Sequence, residues 1–147
     1  MKARENAAAI LFTLSVVDEN KVTIGAAGAI PPLMLLLTEG TQRGKKDSVT
    51  ALFSLCLDHG NKRRAVRAGV IPILMELFKE PLGVLKNEAL AILAILSTDE
   101  EGKFAIGQAE VKPLLFMVIK WGSEYNKKNA EAILRETYGI TMSDIRN

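Results

Sequence analysis

A fourteen-residue stretch recurs three times at a fixed spacing of 41 residues, and no other feature limits so strongly what the chain can fold into. It reads NKVTIGAAGAIPPL at 20–33, NKRRAVRAGVIPIL at 61–74 and GKFAIGQAEVKPLL at 102–115. Lysine, alanine, proline and leucine each keep one column: Lys21, Lys62 and Lys103; Ala27, Ala68 and Ala109; Pro31, Pro72 and Pro113; Leu33, Leu74 and Leu115. A constant period without insertions marks a stacked array, in which each unit leaves an apolar flank that only the next unit covers. The expected molecule is all-α and elongated, with a core that runs lengthwise.

Each unit carries three helical signals. The first runs from Asn61 to Ala68 and stops at Gly69, a residue suited to the left-handed position just past a helix. The second opens with Pro72 as its first helical residue, continues through Leu74, Leu77 and Phe78, and ends at Pro81 and Gly83. The third and longest covers Lys45 to Leu57 and turns Ser48, Leu52 and Leu55 inward. It has a fourth copy at the start of the chain. Leu11, Leu52, Leu93 and Leu134 are 41 apart, as are Ala7, Ser48, Ala89 and Ala130. The chain thus reads as one domain over 1–147: a partial repeat (1–17), three repeats (20–57, 61–98 and 102–138) and a C-terminal cap (139–147).

Composition removes several function classes. Nineteen basic against seventeen acidic residues leave a net charge of +2, too little to point to nucleic acid, and no aromatic residues interleave the basic ones. Cys56 is the only cysteine, so no disulfide framework exists and a reducing compartment, cytoplasmic or nuclear, is expected. On an apolar helix it reads as a small buried hydrophobe. The apolar stretch 7–17 behind Met1-Lys2-Ala3-Arg4 imitates a signal peptide, but the same pattern recurs at 48–57 and 89–97 and is therefore repeat structure. No apolar run reaches the ~20 residues of a membrane span. His59 has no second imidazole or cysteine at ligand spacing, and the chain shows neither a phosphate-binding loop nor a nucleophile–base pair. No catalysis, cofactor or metal is expected.

A three-helix unit of about 40 residues with a Gly-x-Ile-Pro turn (Gly28 to Pro31, Gly69 to Pro72) resembles the armadillo repeat. The strings DENK at 18–21, GTQRGKKD at 40–47, VRAGVIP at 66–72 and ALAILAILS at 89–97 are similar to the armadillo region of plant U-box ubiquitin ligases. The resemblance covers residues 5–135. It implies a right-handed α-solenoid of three armadillo repeats plus a leading helix, with the third helices lining a concave groove. It also implies a non-catalytic module that holds a protein or an extended peptide, substrate or regulator. In that family a separate upstream U-box, which this chain lacks, recruits the ubiquitin-charged carrier enzyme. The alternative is an importin-like peptide carrier or a free-standing scaffold. Importin-like grooves display ladders of asparagine and tryptophan; the matching columns here read Thr13, Ser54, Ile95, Glu136 and Ala9, Thr50, Ala91, Ala132.

With positions 7, 11 and 14 and their copies in the seam, positions 6, 9 and 13 face the groove. The candidate site is then four rows: Asn6, Ala9, Thr13; Asp47, Thr50, Ser54; Glu88, Ala91, Ile95; Asn129, Ala132, Glu136. A second column, Arg4, Lys45, Lys86 and Lys127, is basic throughout. It sits at the N-terminal ends of third helices, where a cation opposes the helix dipole by up to ~1 kcal/mol, so an acidic partner segment is expected along this edge. Lys62-Arg63-Arg64 with Arg67 reads as a solvated outer face, and Trp121, in the column of Glu39 and Glu80, as packed on the cap.

Three departures stand out. Glu110 occupies the column of Gly28 and Gly69, and Lys112 that of Ile30 and Ile71, so the third turn is either rebuilt or strained. Thr137 replaces the leucine of Leu14, Leu55 and Leu96, while Ile140, Met142 and Ile145 are expected to fold back as a cap. The leading helix is apolar from Ala7 to Leu14, unlike the polar outer face of a terminal repeat. An open edge prone to self-association is expected there.

Overall fold

The computed structural model describes residues 2–146; Met1 and Asn147, counted above in the partial repeat and the cap, lie outside them. The described residues form eleven helices. A leading helix, α1 (Lys2–Ser15), precedes three tiers. The first is α2 (Asp18–Ala26), α3 (Ile30–Glu39) and α4 (Gln42–Leu55); the second is α5 (His59–Arg67), α6 (Val70–Lys79) and α7 (Lys86–Leu96). The third is α8 (Glu100–Gln108), α9 (Lys112–Trp121) and α10 (Glu124–Tyr138), and a short α11 (Met142–Arg146) closes the chain. The molecule is an α-solenoid of stacked three-helix units.

Capping side chains set where the helices begin. Asp58 and Asp99 start α5 and α8 by accepting the backbone N–H of Asn61 and Gly102, each at 3.1 Å. Thr41 and Ser123 do the same for α4 and α10, from Gly44 and Asn126 at 3.2 Å. The column between them holds Leu82, which offers no oxygen, and α7 accordingly starts late, at Lys86. Pro72 is the third residue of α6 rather than the first; the N–H groups of a whole first turn lack helical partners, so the ring is tolerated there too.

The turn from first to second helix demands a left-handed residue. Gly28 and Gly69 adopt φ of 90° and 91°, and Glu110, in the same column, is held at 50°. The third turn therefore keeps the repeat's shape under strain. A Cβ at Gly28 or Gly69 would meet nothing within 4 Å, so the penalty is one of backbone conformation and not of space. Glu110→Gly is expected to raise stability by about 0.5–1 kcal/mol in urea denaturation, the relief of strain being partly offset by glycine's freedom in the unfolded chain. A loss of stability would contradict the strained reading.

Burial follows the 41-residue columns. Ser48, Leu52, Leu55, Ala89, Leu93, Leu96, Ala130 and Leu134 are all at 1% exposure or less. In α1 the same columns open up: Ala7 and Leu14 are exposed and Leu11 is half-buried, because no element of this chain lies on its outward face. At the other end Thr137 is half-buried with its hydroxyl unpartnered. Gly139, at φ 68°, ends α10, its N–H donating to Arg135 and that of Ile140 to Leu134, both at 3.1 Å. Ile140 and Ile145 then pack against the core, as a cap requires.

Polar side chains lock one tier to the next. Asn61 is fully buried and donates to the carbonyls of Lys21 at 2.7 Å and Leu55 at 3.0 Å. Asn20, one period earlier, donates to Leu14 at 2.9 Å. The arginines of the basic cluster of α5 are exposed, as expected of an outer face, and two of them also tie that face to the next tier. Arg63 reaches Asp99 at 3.1 Å and Arg67 grips both oxygens of Glu101, at 2.7 and 3.0 Å. The opposite charges of the next tier draw these guanidinium groups across the joint, and the Arg67 hydrogen bond holds the Glu101 carboxyl below its usual range. Cys56 lies buried in the seam, and that burial pushes its thiol up to about 12, leaving it an inert hydrophobe.

Candidate functional site

The third helices α1, α4, α7 and α10 lie side by side, and their face turned away from the second helices forms the groove. Asn6 and Thr13 are exposed, while Ala9, Asp47, Thr50, Glu88, Ile95, Asn129, Ala132 and Glu136 are half-buried. Two residues are corrected. Ser54 is only 6% exposed and exchanges hydrogen bonds with Ser15 in the seam between α1 and α4, at 2.8 Å to its hydroxyl and 3.2 Å to its carbonyl. Its position leans toward the neighbouring helix, so its hydroxyl is spent inside. Ala91, at 4%, is the floor of the groove and presents no functional group.

The groove deepens into a notch of about 370 Å³ between α4 and α7. Val49, Thr50 and Phe53 form one wall, Asn87, Glu88 and Ala91 the other, and Tyr125 reaches in from α10. Phe53 and Tyr125 escape the reasoning from rows 6, 9 and 13. A signal for Phe53 existed, since Phe12 stands one period before it. None existed for Tyr125, whose column reads Arg43, Val84, Tyr125.

The carboxylates of the groove already have cations. Asp47 lies 3.7 Å from Arg43, Glu88 pairs with Lys46, and Glu136 stands 4.0 Å from Lys103 and 3.7 Å from Arg135. The Lys46–Glu88 pair joins α4 to α7, and Asn126 donates to Asn87 at 2.8 Å to join α10 to α7.

The basic column runs along a different edge, beside the second helices. Lys45 shares a depression with Glu76 and Glu80, Lys86 places its ammonium 5.8 Å from the Phe78 ring, and Lys127 lies 3.3 Å from Glu124. Arg4 borders an apolar trough of about 680 Å³ at the α1 edge. Trp121 does not pack on the cap. It is 76% exposed, like the glutamates of its column, because the cap folds onto α10 through Ile140 and Ile145 instead; Lys120 sits 5.2 Å from its ring.

Relatives fit this architecture. The family model described as Armadillo/beta-catenin-like repeat matches residues 18–57. U-box domain-containing protein 12 of Arabidopsis thaliana is 85% identical over 27 residues, 18% of this chain and 4% of that protein. U-box domain-containing protein 11 of the same plant is 52% identical over 48 residues, 32% of this chain and 8% of that protein. The matched stretches are thus a small part of both relatives. A designed armadillo repeat protein superposes with a TM-score of 0.80 at 23% identity, covering 91% of this chain and 58% of its own. Another, solved in complex with the peptide (KR)4, superposes at 0.75 with 22% identity, covering 90% and 57%. At such identity these two share the fold alone. The 41-residue register, the tiered helices and the armadillo-type repeat matched over residues 18–57 make the fold an α-solenoid of armadillo repeats.

Proposed function

We propose that the chain is the substrate- or regulator-recognition part of a U-box ubiquitin ligase and that it binds its partner in the groove of the third helices. The single observation carrying the binding role is the notch between α4 and α7, a concave opening on the face of the third helices. The link to ubiquitin transfer rests on the short, high-identity matches to two U-box proteins. The basic edge is left out of this reading because Lys86 and Lys127 are engaged within the chain.

Two arms of one ubiquitin-transfer assay test it. The isolated chain, given the activating and carrier enzymes, is expected to transfer nothing. Placed behind a U-box, it is expected to direct ubiquitin onto proteins it binds. Thr50→Arg is then expected to abolish substrate modification while leaving self-modification intact, since an added guanidinium fills the notch without touching the U-box. Transfer by the isolated chain, or substrate modification indifferent to Thr50→Arg, overturns the proposal.

A further inference from the structure

We infer that the groove selects an extended segment anchored by two apolar side chains three residues apart, and not a basic peptide. The inference rests on the groove reading above and specifies its ligand.

The charges decide first. A groove built for lysine and arginine needs carboxylates free to receive them. Here Glu88 is paired with Lys46 and Glu136 stands 4.0 Å from Lys103, which leaves Asp47, 3.7 Å from Arg43 and with its Oδ2 making no hydrogen bond, as the one carboxylate open to a cation. Beyond that one contact a basic peptide would have to displace Lys46 and Lys103, while an acidic one would meet the same carboxylates.

The apolar surface decides second. Phe12 and Phe53 stand in one column of the array, and Val16 and Leu57 in another, in the turns just past α1 and α4. Phe12, Val16 and Leu57 are exposed, and Phe53 walls the notch with Tyr125, which is 58% exposed. An aromatic left half in water serves neither the seam, which other columns fill, nor solubility. In the later tiers these columns change to Ala94 and Arg135, and to Thr98 and Gly139. The apolar strip therefore belongs to α1 and α4, and Tyr125 of α10 closes it across the notch from the polar α7 wall of Asn87 and Glu88.

Geometry sets the spacing. Neighbouring helices pack about 8–10 Å apart, so successive rungs of the strip rise by that amount. An extended chain advances about 3.3 Å per residue, so three residues cover roughly one rung. A polyproline-like conformation, with three residues per turn, keeps side chains i and i+3 on one face. One anchor meets the Phe12 rung and the next enters the notch beside Phe53.

The test is selection of a displayed random peptide library on the chain, with affinities of enriched synthetic peptides measured by fluorescence anisotropy. The expected result is enrichment of aromatic or aliphatic residues at i and i+3. Binding should weaken about tenfold or more in Tyr125→Ser and in Phe53→Ser, as loss of a packed aromatic anchor entails. Tyr125 is exposed enough that its replacement leaves the fold intact, so the test survives if the Phe53 variant is unstable. Basic peptides lost on Thr50→Arg would overturn the apolar chemistry and leave the groove standing. Peptides indifferent to Thr50, Phe53 and Tyr125 would overturn both. Peptides lost only on Leu35→Asp would move the apolar site to the α1–α3 trough and overturn the inference. A library with no enriched sequence overturns it as well.

Discussion

Leu52→Ala is expected to destabilise the protein by about 3–5 kcal/mol, while Leu11→Ala, one period earlier in the same column, costs less than about 1 kcal/mol. The substitution is identical; the difference lies in what covers the side chain. Leu52 is fully buried between tiers, so truncation leaves a cavity that its rigid neighbours cannot collapse into. Leu11 is half-buried on α1, whose outward face no element of this chain covers, and water fills the space at once. Urea denaturation of both variants measures the contrast. Equal costs would mean that burial does not follow the stack.

The Asn61 peg between tiers has the second large effect. Asn61→Ala removes both hydrogen bonds that Asn61 donates, to the carbonyls of Lys21 and Leu55, and leaves a void in the joint, a loss of about 2–3 kcal/mol. Gly25→Ala attacks the same joint from the other side, since a Cβ there would stand 1.6 Å from the Asn61 Oδ1. Asn61 must then leave its site, so the two single substitutions act on one interaction. In the Asn61→Ala background the obstacle is gone. Gly25→Ala should there become neutral or stabilising by up to ~1 kcal/mol, because alanine is the better helix former within α2. A double-mutant cycle reads this reversal of sign directly. Additive losses would refute the peg.

The fold was legible because a stacked array writes its core as columns. Leu52, Leu93 and Leu134 are buried for the same reason at the same register, and Glu110 revealed its strain by standing in a glycine column. Charges were harder to read. Arg63 and Arg67 are exposed as expected, but their partners, Asp99 and Glu101, lie more than 30 residues away and meet them only once the tiers stack. The groove was legible as a face but not residue by residue. Positions 9 and 13 lie at its border with the seam, so a small twist of α4 buries Ser54 while Thr50 stays accessible. Tyr125 enters the notch from the first turn of α10, a placement set by the packing of α10 on α7 and by no periodic signal. Trp121 deceived for a plain reason: a large apolar side chain suggests burial, and its column did not.

On the proposed function, partners bind the face of the third helices that carries the notch. A photo-cross-linking amino acid placed at Thr50, in the notch, and separately at Leu35, exposed in the trough between α1 and α3, distinguishes the two faces. With the chain bound to a selected peptide, adducts are expected from position 50 and none from position 35. Adducts from position 35 with none from position 50 would contradict it.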